Sequence, residues 1–135
     1  MVSKSGREGY RRDYSEVCMI WAKVAAGLMA LAIVLGSFGA HALKSKLTPE
    51  MLEIYRVGVL YQIIHALGLF AVAWLLVETG SAKVHNAGIL LTLGILLFSG
   101  SLYALSLSGI KMFGAVTPIG GLCFLIGWVL LFLAL

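Results

Sequence analysis

The chain is predicted to be an all-α membrane protein, a four-transmembrane-helix antiparallel bundle, and three features predict it. Hydrophobic residues make up 61% of its 135 residues and charged residues only 12%, with a mean hydropathy of +1.01. A soluble domain of this size leaves too much of its surface exposed to hide that apolar content, whereas lipid accepts it. Second, four uncharged runs follow one another, separated by short polar turns. Third, the basic residues flank those runs and form no dense block, a pattern that suits a membrane surface and argues against nucleic acid.

Residues 1–18 are polar and mixed in charge, and are expected to form a disordered tail ahead of a membrane domain at 19–135. Met19 is a candidate second start. The first span is expected at about 24–43. Its apolar region is longer than the roughly 7–15 residues of a secretory signal core, and further spans follow, so a retained helix is expected. Ala32, Gly36 and Ala40 recur every four residues, a pattern that lets a second helix approach closely.

Thr48-Pro49-Glu50 is a helix start, with Thr as cap, Pro in the first helical position and an acid in the first turn. The second span is expected at 57–77, closed by Gly80 as a left-handed cap. The third is expected at 84–108, with Gly100 and Ala104 on another small-residue face. Thr117-Pro118 repeats the start signal and opens the fourth span, 117–135. Basic residues number six on the side of the termini (Lys4, Arg7, Arg11, Arg12, Lys23, Lys83) and four on the other (Lys44, Lys46, Arg56, Lys111). That count favours both termini in the cytoplasm.

Polar residues inside lipid need partners, because an unsatisfied group there costs several kcal/mol. Tyr61, Gln62 and His65 share one helical face of the second span. His41, Ser99, Ser101, Tyr103 and Thr117 fall in the same half of the bundle, so the eight residues are expected to form one hydrogen-bonded cluster. The cluster is either a link between helices or a functional site. The two cysteines, Cys18 and Cys123, have no metal-ligand spacing. His41 and His65 are offset in depth, which disfavours shared haem ligation. No catalytic residue, metal or cofactor is expected. Trp21, Trp74 and Trp128 are read as anchors or filling, and His85 as reaching solvent.

Four segments then carry a resemblance: Gly36-Ser37-Phe38-Gly39-Ala40-His41-Ala42-Leu43, Tyr61-Gln62-Ile63-Ile64-His65-Ala66-Leu67, Leu97-Phe98-Ser99-Gly100-Ser101-Leu102-Tyr103 and Thr117-Pro118-Ile119-Gly120-Gly121. In this order, one per span, they resemble the membrane proteins grouped as domain of unknown function 423, which include transmembrane protein 256-like proteins. Ser37 stands where Ala is expected, a small-for-small change. The resemblance covers residues 20–135 and implies a bacterial inner-membrane setting without implying a chemistry. The expected function is a non-enzymatic structural or interaction role, with the bilayer, further copies of the chain or other membrane proteins as partners. The alternative is an oligomeric proton or small-solute transporter that uses Gln62 and His65.

Overall fold

The structure is a computed structural model that describes the backbone of residues 4–135 and the side chains of residues 15–135. The helices are α1 (Lys4–His41), α2 (Pro49–Thr79), α3 (Ala82–Gly94), α4 (Gly100–Ser108) and α5 (Thr117–Phe132). A π-helical turn, Ile95–Ser99, joins α3 to α4 without a break, and a 3-10 turn, Lys111–Ala115, precedes α5. Among the described residues, four helices are long and apolar enough to cross a membrane: Ser15–His41, Pro49–Thr79, Ala82–Ser108 and Lys111–Phe132. Large apolar side chains such as Trp74, Leu96, Leu125 and Phe132 point outward, as a lipid-facing surface requires.

The caps explain where the second span starts and stops. Thr48 Oγ1 accepts the Met51 N–H at 3.2 Å, with Pro49 in the first turn. At the far end Gly80 adopts φ 59° and its N–H donates to the Leu76 carbonyl. That left-handed conformation is why glycine stands there. Ser81 then caps α3 through the Lys83 N–H, so only two residues separate the spans.

Two expectations need correction at the N-terminal end. The backbone is helical from Lys4, where the sequence predicts a tail through residue 18; residues 1–3 lie outside the described residues. Cys18 and Trp21 are buried in the main core with Ala25, Val72, Ala87 and Leu91. Apolar contact therefore begins about a turn and a half before the predicted span, and nothing in that stretch breaks the helix. Of the two roles read for Trp21 it takes the second, filling the core. Its indole N–H donates to His85 Nδ1 at 3.3 Å, so His85 is half-buried rather than free in solvent.

A second apolar cluster forms near the α1–α2 connection, from Leu43, Leu52, Tyr55 and Val59 with Leu35, Ile63 and Tyr103 packed on it. Small-residue contacts are selective. Ala32 is fully buried, but Ala40 is exposed and its neighbour Gly39 makes the contact instead, under the Tyr55 ring. Gly36 faces Val59, and a Cβ there would lie 3.4 Å away in ordinary contact. A Cβ at Gly100 would meet nothing, so Gly100 is not a packing position, and Ala104 beside it lines the same open groove. At Gly120 the approach is to backbone, where an added Cβ would strike the backbone nitrogen of Phe98 in the π-turn.

Candidate functional site

Gln62 is the most committed polar group in the membrane interior, at 2% exposure. Its Nε2 donates to the Leu28 carbonyl of α1 at 2.8 Å. Its Oε1 accepts the Tyr103 hydroxyl of α4, also at 2.8 Å. One amide thus joins three helices, using a carbonyl lone pair that the α1 ladder leaves over. Tyr55 repeats the arrangement two turns away. Its hydroxyl donates to the Leu35 carbonyl at 2.9 Å, and its ring lies 5.1 Å from that of Tyr103. Glycines make room for both tyrosines, since a Cβ at Gly39 would sit 2.7 Å from the Tyr55 ring and one at Gly58 would sit 2.9 Å from the Tyr103 ring.

Ser101 and Thr117 form a separate link between α4 and α5, with their hydroxyls 2.7 Å apart. The Ser101 proton goes to the Phe98 carbonyl at 2.9 Å, so Thr117 is the donor in the pair. Thr117 therefore does not cap α5 as its sequence signal predicts. Val116 already has helical angles (φ −81°, ψ −28°), and its carbonyl accepts the Ile119 N–H at 3.0 Å. The incoming 3-10 turn frees the threonine hydroxyl to bond across the bundle.

His65 belongs to neither link. Its Nδ1 lies 2.7 Å from the Tyr61 carbonyl, one turn back on its own helix. A carbonyl only accepts, so Nδ1 carries the proton and Nε2 presents its lone pair. The ring stacks on Phe124 of α5 at a centroid distance of 3.4 Å and 11° between planes. Tyr61, 38% exposed, stacks on Phe98 at 4.5 Å and completes an aromatic layer with His65 and Phe124. The single cluster expected from the sequence is therefore two hydrogen-bonded links and an aromatic layer. Three residues on an α-helix amount to a turn of 300°, which places His65 about 60° around α2 from Gln62. That rotation moves it from the α1 and α4 side toward α5.

Ser99 is fully buried in the π-turn, and its hydroxyl has no hydrogen-bond partner among the described residues. His41 is exposed at the end of α1 and joins none of these groups. No group of three or more His, Cys, Asp or Glu side chains is placed to hold a metal ion among the described residues. Phe124 is an interior residue that the sequence reading missed, and Tyr55 is another. The signal for Tyr55 was present, because it precedes Gln62 by seven residues and so lies on the same face.

Residues 35–121, which carry Gln62, Tyr103, Ser101 and Thr117 of the two links and the aromatic layer's Tyr61, His65 and Phe98, match the family model described as "Protein of unknown function (DUF423)". The chain belongs to the DUF423 family. Curated relatives of this DUF423 protein are bacterial membrane proteins. The UPF0382 membrane protein YwdK of Bacillus subtilis is 48% identical over 105 residues, covering 77% of this chain and 85% of the relative. The UPF0382 membrane protein SERP0230 of Staphylococcus epidermidis is 45% identical over 104 residues, covering 77% and 84%. The UPF0382 membrane protein SSP2132 of Staphylococcus saprophyticus is 45% identical over 101 residues, covering 75% and 83%. No solved structure matches the chain. The DUF423 protein is thus an all-helical membrane protein of a family whose molecular function is open.

Proposed function

We propose that this DUF423 protein is non-enzymatic, that its interior polar residues lock the helices together, and that it acts through contacts with lipid, with further copies of itself or with other membrane proteins. The observation that carries this reading is Gln62, which spends both ends of its amide on neighbouring helices. A catalytic or conducting site needs uncommitted polar groups that converge, and Gln62, Tyr103, Ser101 and Thr117 are committed to one another or to backbone. No carboxylate lies between residues 57 and 77 to orient His65. Vesicles containing the purified protein are expected to show no proton or solute flux above empty vesicles. Flux that disappears in a well-folded His65→Gln variant would overturn the proposal, since glutamine cannot titrate.

One observation favours a second reading, a proton-conducting oligomer. The Nε2 lone pair of His65 has no hydrogen-bond partner among the described residues. Four short spans need further copies to enclose a path, so the same flux assay decides between the two readings. The proposed location is the bacterial inner membrane with both termini in the cytoplasm, supported by the six-to-four basic count. A reporter fused at Leu135 that is active only on the outer face would reverse this orientation.

A further inference from the structure

A groove of about 250 Å³ runs along the outer surface between α1 and α2. Its α1 wall is built from Gly36, Gly39 and Ala40, which have almost no side chain to fill it; Val59 and Ile63 form the α2 wall, and Arg56 stands at one end. From Arg56 to Ile63 is seven residues, so the α2 wall is about 10 Å long. The groove is apolar throughout its length and charged at a single point.

Arg56 stands toward the end of α2 that joins the α1–α2 connection, the side of the membrane that also carries Lys44 and Lys46. The carboxylates nearby in sequence are Glu50 and Glu53, so these five side chains sum to one positive charge. Arg56 pairs with Glu53 at 3.9 Å, the outer limit for an ion pair, and both side chains are more than half exposed. That contact leaves most of the five guanidinium donors available, in the planar fork that suits two phosphate oxygens. An arginine at a membrane edge keeps its stem along apolar surface and its head at headgroup level.

We propose that the α1–α2 groove binds one anionic phospholipid, its phosphate on Arg56 and the upper part of one acyl chain along Gly36, Val59 and Ile63. The site deepens the lipid contact proposed above and stands independently of the flux assay, because the two experiments share no readout. The full chain, purified in detergent, would be incubated with equal amounts of phosphatidylglycerol and phosphatidylcholine carrying identical acyl chains. Retained lipid would then be counted by native mass spectrometry. Phosphatidylglycerol is expected to be retained at least fivefold over phosphatidylcholine. Arg56→Gln should bring the ratio close to one, Arg56→Lys should restore part of it, and Lys46→Gln, outside the groove, should leave it unchanged. Ala40→Phe fills the groove from an exposed position and should lower retention of both lipids.

A wild-type ratio near one, or a fivefold preference that survives Arg56→Gln, would overturn the proposal. So would a chain dimer that Ala40→Phe abolishes with no change in lipid, which would make a second copy the occupant. Should a variant melt below the wild type, labelling of the wild-type protein decides the matter. Phosphatidylglycerol with a photoreactive acyl chain is expected to mark residues 36–40 and 59–63, and labelling only elsewhere refutes the site.

Discussion

Removing the Gln62 amide tests whether it holds three helices together. In Gln62→Leu two bonds of 2.8 Å disappear, one to the Leu28 carbonyl and one from the Tyr103 hydroxyl. Hydrogen bonds between membrane helices average about 0.6 kcal/mol and reach about 1.7. The Leu28 carbonyl keeps its own helical bond, so its loss falls at the low end. Tyr103 loses the acceptor for its hydroxyl in a half-buried position, where an unsatisfied group costs about 1–3 kcal/mol. The expected total for Gln62→Leu is about 2–3 kcal/mol. Tyr103→Phe removes one bond and should cost about 1 kcal/mol. The double variant should then be less destabilised than the sum of the two, with a coupling of about 0.6–1.7 kcal/mol. Reversible unfolding in mixed detergent micelles, monitored by helicity, measures all four corners of the cycle. Additivity to within about 0.3 kcal/mol would refute the bond.

Three further outcomes can be checked by melting in detergent. Gly120→Ala pushes a Cβ into the Phe98 backbone and should cost about 1–3 kcal/mol, whereas Gly100→Ala meets open space and should be neutral or stabilise by up to about 1 kcal/mol; equal effects would show that the π-turn does not rest on α5. His65→Phe keeps the stack on Phe124 and should stay within about 1 kcal/mol of the wild type, while His65→Ala opens a gap and should cost about 2–3 kcal/mol. His65→Gln more stable than His65→Phe would show that hydrogen bonding outweighs stacking there. Gly80→Ala forces a side chain into a φ of 59° and should cost about 1 kcal/mol, and no change would mean that the α2–α3 connection relaxes.

The four spans were legible because each charge-free run is long enough to cross lipid and is bounded by turn or cap residues. Thr48-Pro49 and Gly80 were legible for the same local reason, and both caps form. Thr117 was not, since its cap competes with a bond to Ser101 that exists only once α4 and α5 pack. Depth in the membrane drew Gln62, Tyr103, Ser101 and Thr117 into one half of the bundle, and the structure pairs Gln62 with Tyr103 and Ser101 with Thr117. It could not resolve the 60° that separates Gln62 from His65, because both lie near the middle of the same helix. Small-residue spacing marked Gly100 and Ala40 as contacts without showing which side of each helix meets a neighbour. The approach at Gly120 depends on a widened turn in another helix, and no residue pattern announces it.

That widened turn bears on which changes of chain length the third span can survive. A π-turn is an α-helix carrying one surplus residue, with bonds reaching five positions back; here the Gly100 N–H donates to the Ile95 carbonyl. Loss of one residue between Ala82 and Gly94 would rotate everything beyond it by about 100°, turning Ser101 and Ser106 from the interior toward lipid. Loss of the exposed Leu96 inside the turn would let the helix close to regular geometry with both halves still facing as before. The span therefore tolerates a deletion within this turn, which is flanked on both sides by stretches whose length is constrained by packing. Where family members differ in length along this helix, the gap should fall between residues 95 and 99.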